Sequence, residues 1–257
     1  MAFYDLDKTS RQLLVDALYK DFASAIQKKN TTVFSTAFSD EDTYIRKAAY
    51  LNFGKLYFEF PGTRDFLLYS LTSLFTSENE KIRQTVVNAA GEIGKQEFEA
   101  IAKFMEEGLS DPHPIVRNAV IGSLKKMGEK NPVPTLAFAK RFLHHPDKEI
   151  RREICHGIEL RGRTHPQDIL PLLQELEFDK TARVKNTLVH VLGQISYKKG
   201  CLAIVIAHLK TWENKEIVQK ALLEIIDVHE RYAAFSVLTQ QEAVEYIQSQ
   251  FDISSEN

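Results

Sequence analysis

A dipeptide of one aliphatic residue followed by Arg or Lys recurs along this chain at almost constant intervals. It reads Ile45-Arg46, Ile82-Arg83, Val116-Arg117, Ile150-Arg151 and Val184-Lys185, with the basic positions 37, 34, 34 and 34 residues apart. A sixth copy, Ile217-Val218, follows 33 residues later with the charge lost. Self-similarity at a fixed period of this length predicts an array of structural repeats. Each is too small to bury its own apolar face, so each packs on its neighbours.

The copies align on the basic position. One residue before it stand Ile45, Ile82, Val116, Ile150, Val184 and Ile217. Three after it come Ala49, Val86, Val120, Ile154, Leu188 and Ala221, and seven after it Phe53, Ala90, Leu124, Ile158, Leu192 and Ile225. Offsets of −1, +3 and +7 form one stripe on a helix of 3.6 residues per turn. This stripe is the expected buried face of the second helix of a helix pair. The residue directly after the basic position is always polar: Lys47, Gln84, Asn118, Arg152, Asn186 and Gln219. First helices are expected over about 63–76, 97–109, 134–143, 166–178 and 200–212. Ser77 with Glu80 has capping-box spacing. Asp111, Asp147 and Asp179 lie in polar turns before second helices, where a short acceptor satisfies free amides. Glycines late in these helices (Gly54, Gly91, Gly94, Gly128, Gly162, Gly193) can serve as close-packing points or terminators. No strand alternation persists anywhere, so the expected class is all-α. One domain is expected over 1–257: an N-terminal cap over 1–30, about six repeats over 31–230, and a C-terminal cap over 231–257, with a helix at 240–251 introduced by Thr239 and Glu242.

An Asp, a few residues, then Val/Ile-Arg opening a second helix resembles HEAT repeats, over about Thr31 to Val228. Tetratricopeptide and ankyrin signatures are absent. The resemblance implies a right-handed α-α superhelix, an armadillo-like solenoid, whose second helices line a concave face that binds proteins or nucleic acids. A narrower resemblance runs from about Arg141 to Trp212. His145-Pro146-Asp147-x-x-Ile150-Arg151-Arg152, then Gly157, Arg161-x-Arg163 and Ile169-Leu170-Pro171-Leu172-Leu173, is similar to a stretch of the HEAT-like DNA alkylation repair family. That family implies duplex DNA on a basic concave face and, in some members, excision of alkylated bases. Its aromatic and carboxylate site is not evident in this chain, and the single Trp, Trp212, falls near an expected turn.

Charge distribution adds a local contrast. Net charge is −2, but residues 140–200 hold 12 Lys/Arg against 8 Asp/Glu, and residues 213–257 hold 3 against 9. A basic middle is compatible with a polyanion, or with ordinary solvated helix faces. Within it the fourth repeat breaks the pattern. Ten residues after the basic position the other repeats carry Leu56, Ile93, Met127, Ile195 and Val228, and the fourth carries Arg161. His156 and His190 share the position five after it. A candidate anion site therefore comprises Arg151, Arg152, His156, Arg161, Arg163, Lys185 and His190, because Arg forks bind phosphate or carboxylate bidentately. The alternative is a one-residue slip, with Leu160 buried, Arg161 snorkelling, and Gly157 or Gly162 permitting the distortion. The recurrent Arg residues either form an inter-repeat ladder with acids of adjacent turns or contact a ligand. Glu153 and Glu159 either pair with Arg152 and Arg163 or stabilise a positively charged sugar centre.

No HExxH, phosphate-binding glycine loop, GxSxG or dinucleotide fingerprint occurs, so no catalytic residue and no cofactor are assigned. Cys155-His156 with His144 and His145 lacks zinc-ligand spacing, so no metal is expected. Adjacent helical residues point apart, which sets Cys155-His156 aside as a nucleophile pair. Two cysteines, no apolar leader and no membrane-length apolar run give the expectation of a cytoplasmic monomer without a membrane partner. The functional expectation is a non-catalytic binding or scaffold module for a protein partner. The alternative is a DNA-binding or repair protein related to alkylpurine DNA glycosylases.

Overall fold

The computed structural model describes residues 3–251; residues 252–257 of the expected C-terminal cap lie outside the described residues. All regular structure among them is helical. The chain divides into two compact units, 1–131 and 132–257.

In the first unit, α1 (Lys8–Gln27) precedes three helix pairs. These are α2 (Thr32–Phe38) with α3 (Thr43–Glu59), α4 (Arg64–Phe75) with α5 (Glu80–Gly94), and α6 (Ala102–Leu109) with α7 (Pro114–Lys130). The second helices α3, α5 and α7 stack side by side, and α1 packs on the outer flank of α3. Phe22 of α1, Phe34 and Phe38 of α2 and Phe53 of α3 form a buried aromatic cluster, with ring centroids 4.9–6.4 Å apart.

In the second unit the pairs are α8 (Pro132–Phe142) with α9 (Lys148–Gly157) and its short continuation α10 (Glu159–Gly162), α11 (Pro166–Gln174) with α12 (Ala182–Gln194), and α13 (Cys201–Leu209) with α14 (Lys215–Arg231). Helix α15 (Gln240–Gln250) closes on α14 and α13. Thr239 and Glu242 make the reciprocal capping box that starts it.

The apolar register explains why these helices form and which face they bury. Every residue at +3 and +7, twelve side chains in six repeats, is fully buried. At −1 only Ile45 is half-buried. Full burial of a Val, Leu, Ile or Phe side chain is worth about 1.5–3 kcal/mol, which makes this stripe the main source of stability.

Helix starts differ from expectation in several repeats: the first helix expected from residue 97 begins at Ala102, and α7 and α12 start behind His113 and Thr181, whose amides donate to Asp111 and Asp179. Helix α5 begins at Glu80 behind Asn79, whose side chain accepts from the Lys81 amide at 2.9 Å. Ser77 accepts from the Asn79 amide at 3.2 Å instead of capping the helix. Asn79 is the nearer short acceptor, and it makes the Ser77–Glu80 pairing redundant.

The late glycines are contact points between second helices. A Cβ on Gly91 would lie 2.6 Å from Ser123 Cβ of the next second helix, and one on Gly54 would lie 2.6 Å from Glu92 Cβ. Gly122, also helical, faces open space. Gly91→Ala is therefore expected to destabilise by about 1–3 kcal/mol through overpacking. Gly122→Ala should stabilise by about 0.8–1 kcal/mol through helix propensity. Urea-unfolding midpoints of the two variants check both signs.

Candidate functional site

The recurrent Arg has a structural position of its own in each repeat. Its Nη1 donates to the two carbonyls six and five residues earlier. These are Asp40 and Glu41 for Arg46, Ser77 and Glu78 for Arg83, Asp111 and Pro112 for Arg117, and His145 and Pro146 for Arg151. The guanidinium thus ties the turn between the paired helices to the first turn of the second helix. In two repeats it also reaches the aspartate of the next turn. Arg83 holds Asp111 at 2.7 and 3.1 Å, and Arg151 holds Asp179 at 2.6 and 3.2 Å. Burial alone would raise the carboxyl pKa of Asp111 and Asp179. The arginine hydrogen bonds and the amides of His113 and Thr181 outweigh it and hold both below the ordinary value. Repeat five has Lys185, which lacks the fork. It is half-buried, and its charge adds to the hydrogen bond and charge of Lys220 in holding the Glu216 carboxyl below its ordinary value. There the tie to the following turn comes from Glu177, which accepts from the amides of Glu213 and Asn214 at 3.0 and 3.1 Å.

The rest of the fourth repeat is built around a break. Helix α9 starts at the N-cap Asp147, stops at Gly157, and resumes as α10 after Ile158. The register position eight after the basic residue is glycine in three repeats (Gly54, Gly91, Gly193), where the next second helix approaches closely. In repeat four it is Glu159, only 1% exposed. Lys125 and Ile226 fill the same position in repeats three and six on unbroken helices, whereas in repeat four the helix is interrupted at Ile158, directly before Glu159. Leu160 remains half-buried, while Gly162 packs against Ile169 and Ile195.

Of the seven candidate residues Lys185 stands apart in repeat five, and the other six fall into four settings. Arg151 belongs to the turn clamp. Arg161 turns toward the first helix of the next repeat and pairs with Asp168 of α11 at 2.6 Å. Arg152 lies along α9 between Glu149 at 3.0 Å and Glu153 at 3.4 Å. His156, Arg163 and His190 come together around Glu159. The His156 ring nitrogen is 3.1 Å from Glu159 Oε2, and Arg163 Nε donates to Glu159 Oε1 at 2.9 Å. Arg163 also donates to Gln194 Oε1 at 2.8 Å. The His156 and His190 rings stand edge-to-face at 6.0 Å, and His190 Nδ1 is 3.6 Å from Glu224 Oε1. Donor atoms of His156, Glu159 and His190 all lie within 4.8 Å of one another. Sequence reasoning missed Asp168, Gln194 and Glu224 as partners. The shared register of His156 and His190 was the available signal for two adjacent rings.

Chemistry at the remaining candidates is limited. Cys155 is fully buried, and burial raises its thiol pKa, so the thiol stays protonated. Trp212 packs in the core behind α13, and its indole donates to His208 Nδ1 at 2.9 Å. No helix among the described residues is long and apolar enough to cross a membrane.

Comparison with known proteins agrees with this architecture. Residues 70–137 match the family model for HEAT repeats. The crystal structure of AlkD2 from Streptococcus mutans is similar, with a TM-score of 0.55 and 18% identity over 74% of this chain and 95% of that one. An archaeal HEAT-like repeats protein from Thermococcus onnurineus NA1 aligns over 89% of this chain and 91% of its own, with a TM-score of 0.43 and 16% identity. No curated protein matches the sequence. At such identities the structural likeness speaks to fold alone. Residues 70–137 thus match HEAT repeats, and the same helix-pair register recurs through six repeats of the chain.

Proposed function

We propose that this protein is a non-catalytic binding module that holds a polypeptide partner on the exposed face of its second helices. One observation carries the reading: four arginines of the fourth repeat, all of them in the candidate anion site, are matched by carboxylates of the protein itself. Arg151 pairs with Asp179, Arg152 with Glu149, Arg161 with Asp168 and Arg163 with Glu159. A duplex-DNA surface needs cations whose release of counterions drives binding, and cations already neutralised contribute little of that free energy. Exposed carboxamides at the position after the basic residue, Asn186 and Gln219 in α12 and α14, offer paired donors and acceptors suited to an extended main chain. Two buried free thiols, Cys155 and Cys201, fit a reducing, cytoplasmic setting.

Binding to fluorescent duplex DNA, plain and methylated, tests this reading across 50–200 mM salt. The expected result is affinity no tighter than the non-specific range of about 10⁻⁴–10⁻⁶ M, with no release of methylated base. A panel of displayed random peptides should in contrast yield binders that protect amides of α9, α12 and α14 from hydrogen exchange. Specific DNA binding in the range of about 10⁻⁸ M, or base release, would overturn the reading in favour of the DNA-repair alternative.

A further inference from the structure

The geometry points to a transition-metal site of the zinc class, formed by His156, Glu159 and His190 between the second helices of repeats four and five. The two imidazoles occupy the same register position one repeat apart, so the stacking of α9 and α12 brings them together. Glu159 provides the buried carboxylate, in a position that three other repeats fill with glycine. Its Oε2 faces His156 at 3.1 Å, while Oε1 is engaged by Arg163, which Gln194 holds in turn. An oxygen oriented by a fixed outer network is the arrangement that tunes metal ligands. Glu224 Oε1 stands 3.6 Å from His190 Nδ1 and is itself held by Arg231 at 2.6 Å, within reach of the ring as an outer partner once a metal is bound.

Two imidazoles and one carboxylate favour zinc and its neighbours over calcium or magnesium, which take oxygen ligands. Bonds of about 2.0–2.1 Å in a tetrahedral site place donors about 3.4 Å apart. The His156–Glu159 edge is already close to that spacing. The widest separation, 4.8 Å, closes by side-chain rotation of the half-buried histidines. Three protein ligands leave the fourth position open on the solvent side. The spacing of ligands along the chain hides this group, because Glu159 and His190 are three and 34 residues from His156, on α10 and α12.

Chelator-treated full-length protein titrated with ZnCl₂ by calorimetry, and with CoCl₂ by absorption spectroscopy, tests the site. The expected result is one zinc per chain and a visible cobalt spectrum of nitrogen and oxygen ligands without thiolate charge transfer. His156→Asn and His190→Asn should each weaken zinc binding at least about 100-fold, and Glu224→Gln about 10–100-fold. Zinc should raise the thermal midpoint of the wild type and leave that of His190→Asn unchanged. His144→Ala, at a surface histidine beside Glu175, should bind as the wild type does. Absence of zinc uptake at micromolar concentration, or one-to-one uptake unaffected in the folded His190→Asn and Glu224→Gln variants, would overturn the proposal.

Discussion

Arg151→Ala is expected to lower the unfolding free energy of the protein by about 3–5 kcal/mol, because it strands a buried carboxylate. The Arg151 side chain is 15% exposed and that of Asp179 is 5% exposed. The guanidinium makes two bonds to Asp179 and two to the carbonyls of His145 and Pro146, with Thr181 Oγ1 at 3.3 Å. Removal leaves the carboxylate and both carbonyls short of a donor in a region with little water. Arg151→Lys keeps the charge and loses the planar fork, so a smaller loss of about 1–2 kcal/mol is expected. The same pairing sets an acid dependence. Asp179 has its folded-state pKa depressed below 3.8, so its contribution is complete above that value and is lost as pH falls through the lower, folded one. Urea midpoints should therefore fall from about pH 4 downward in the wild type, and more shallowly in Asp179→Asn.

A comparable loss, about 3–5 kcal/mol, is expected for Trp212→Ala. Trp212 is 1% exposed and is the largest fully buried side chain of the second unit. Its indole nitrogen donates to His208 Nδ1. Burial lowers the pKa of His208, which keeps that nitrogen free of a proton and able to accept. Trp212→Phe should recover most of the packing and lose the hydrogen bond, at about 1–3 kcal/mol. As the chain's single tryptophan, Trp212 also reports on its own environment. Native emission should be blue-shifted and should move to the red on unfolding, together with the loss of helical circular dichroism. An exposed Trp212 that quenches on adding DNA would instead place it at a ligand surface.

Much of the fold was legible because two periods coincide in the sequence. The helical period of 3.6 and the repeat period of about 34 residues jointly define columns, and the +3 and +7 columns are buried without exception. Column position also located the clamp arginines, but not their destinations. Asp111 and Asp179 could be read as caps, whereas their carboxylates also receive the arginine of the preceding repeat. Legibility failed where the helix is broken. Past Ile158 a column no longer states which way a side chain turns, so Arg161 reads as part of a basic cluster and in fact lies on Asp168. Glu159 could be matched to Arg163 by its i,i+4 spacing. Its burial and its contact with His156 depend on the approach of the neighbouring helix, which no local pattern encodes.

Most directly at stake is the claim that the recurring arginine fastens one repeat to the next and is not a ligand contact. A double-mutant cycle of Arg151→Ala and Asp179→Asn in urea unfolding measures that coupling. The account predicts an interaction energy of at least about 1 kcal/mol, with the loss in the double variant well below the sum of the single losses. Additive losses within about 0.3–0.5 kcal/mol would contradict it and return Arg151 to the set of residues available to a partner.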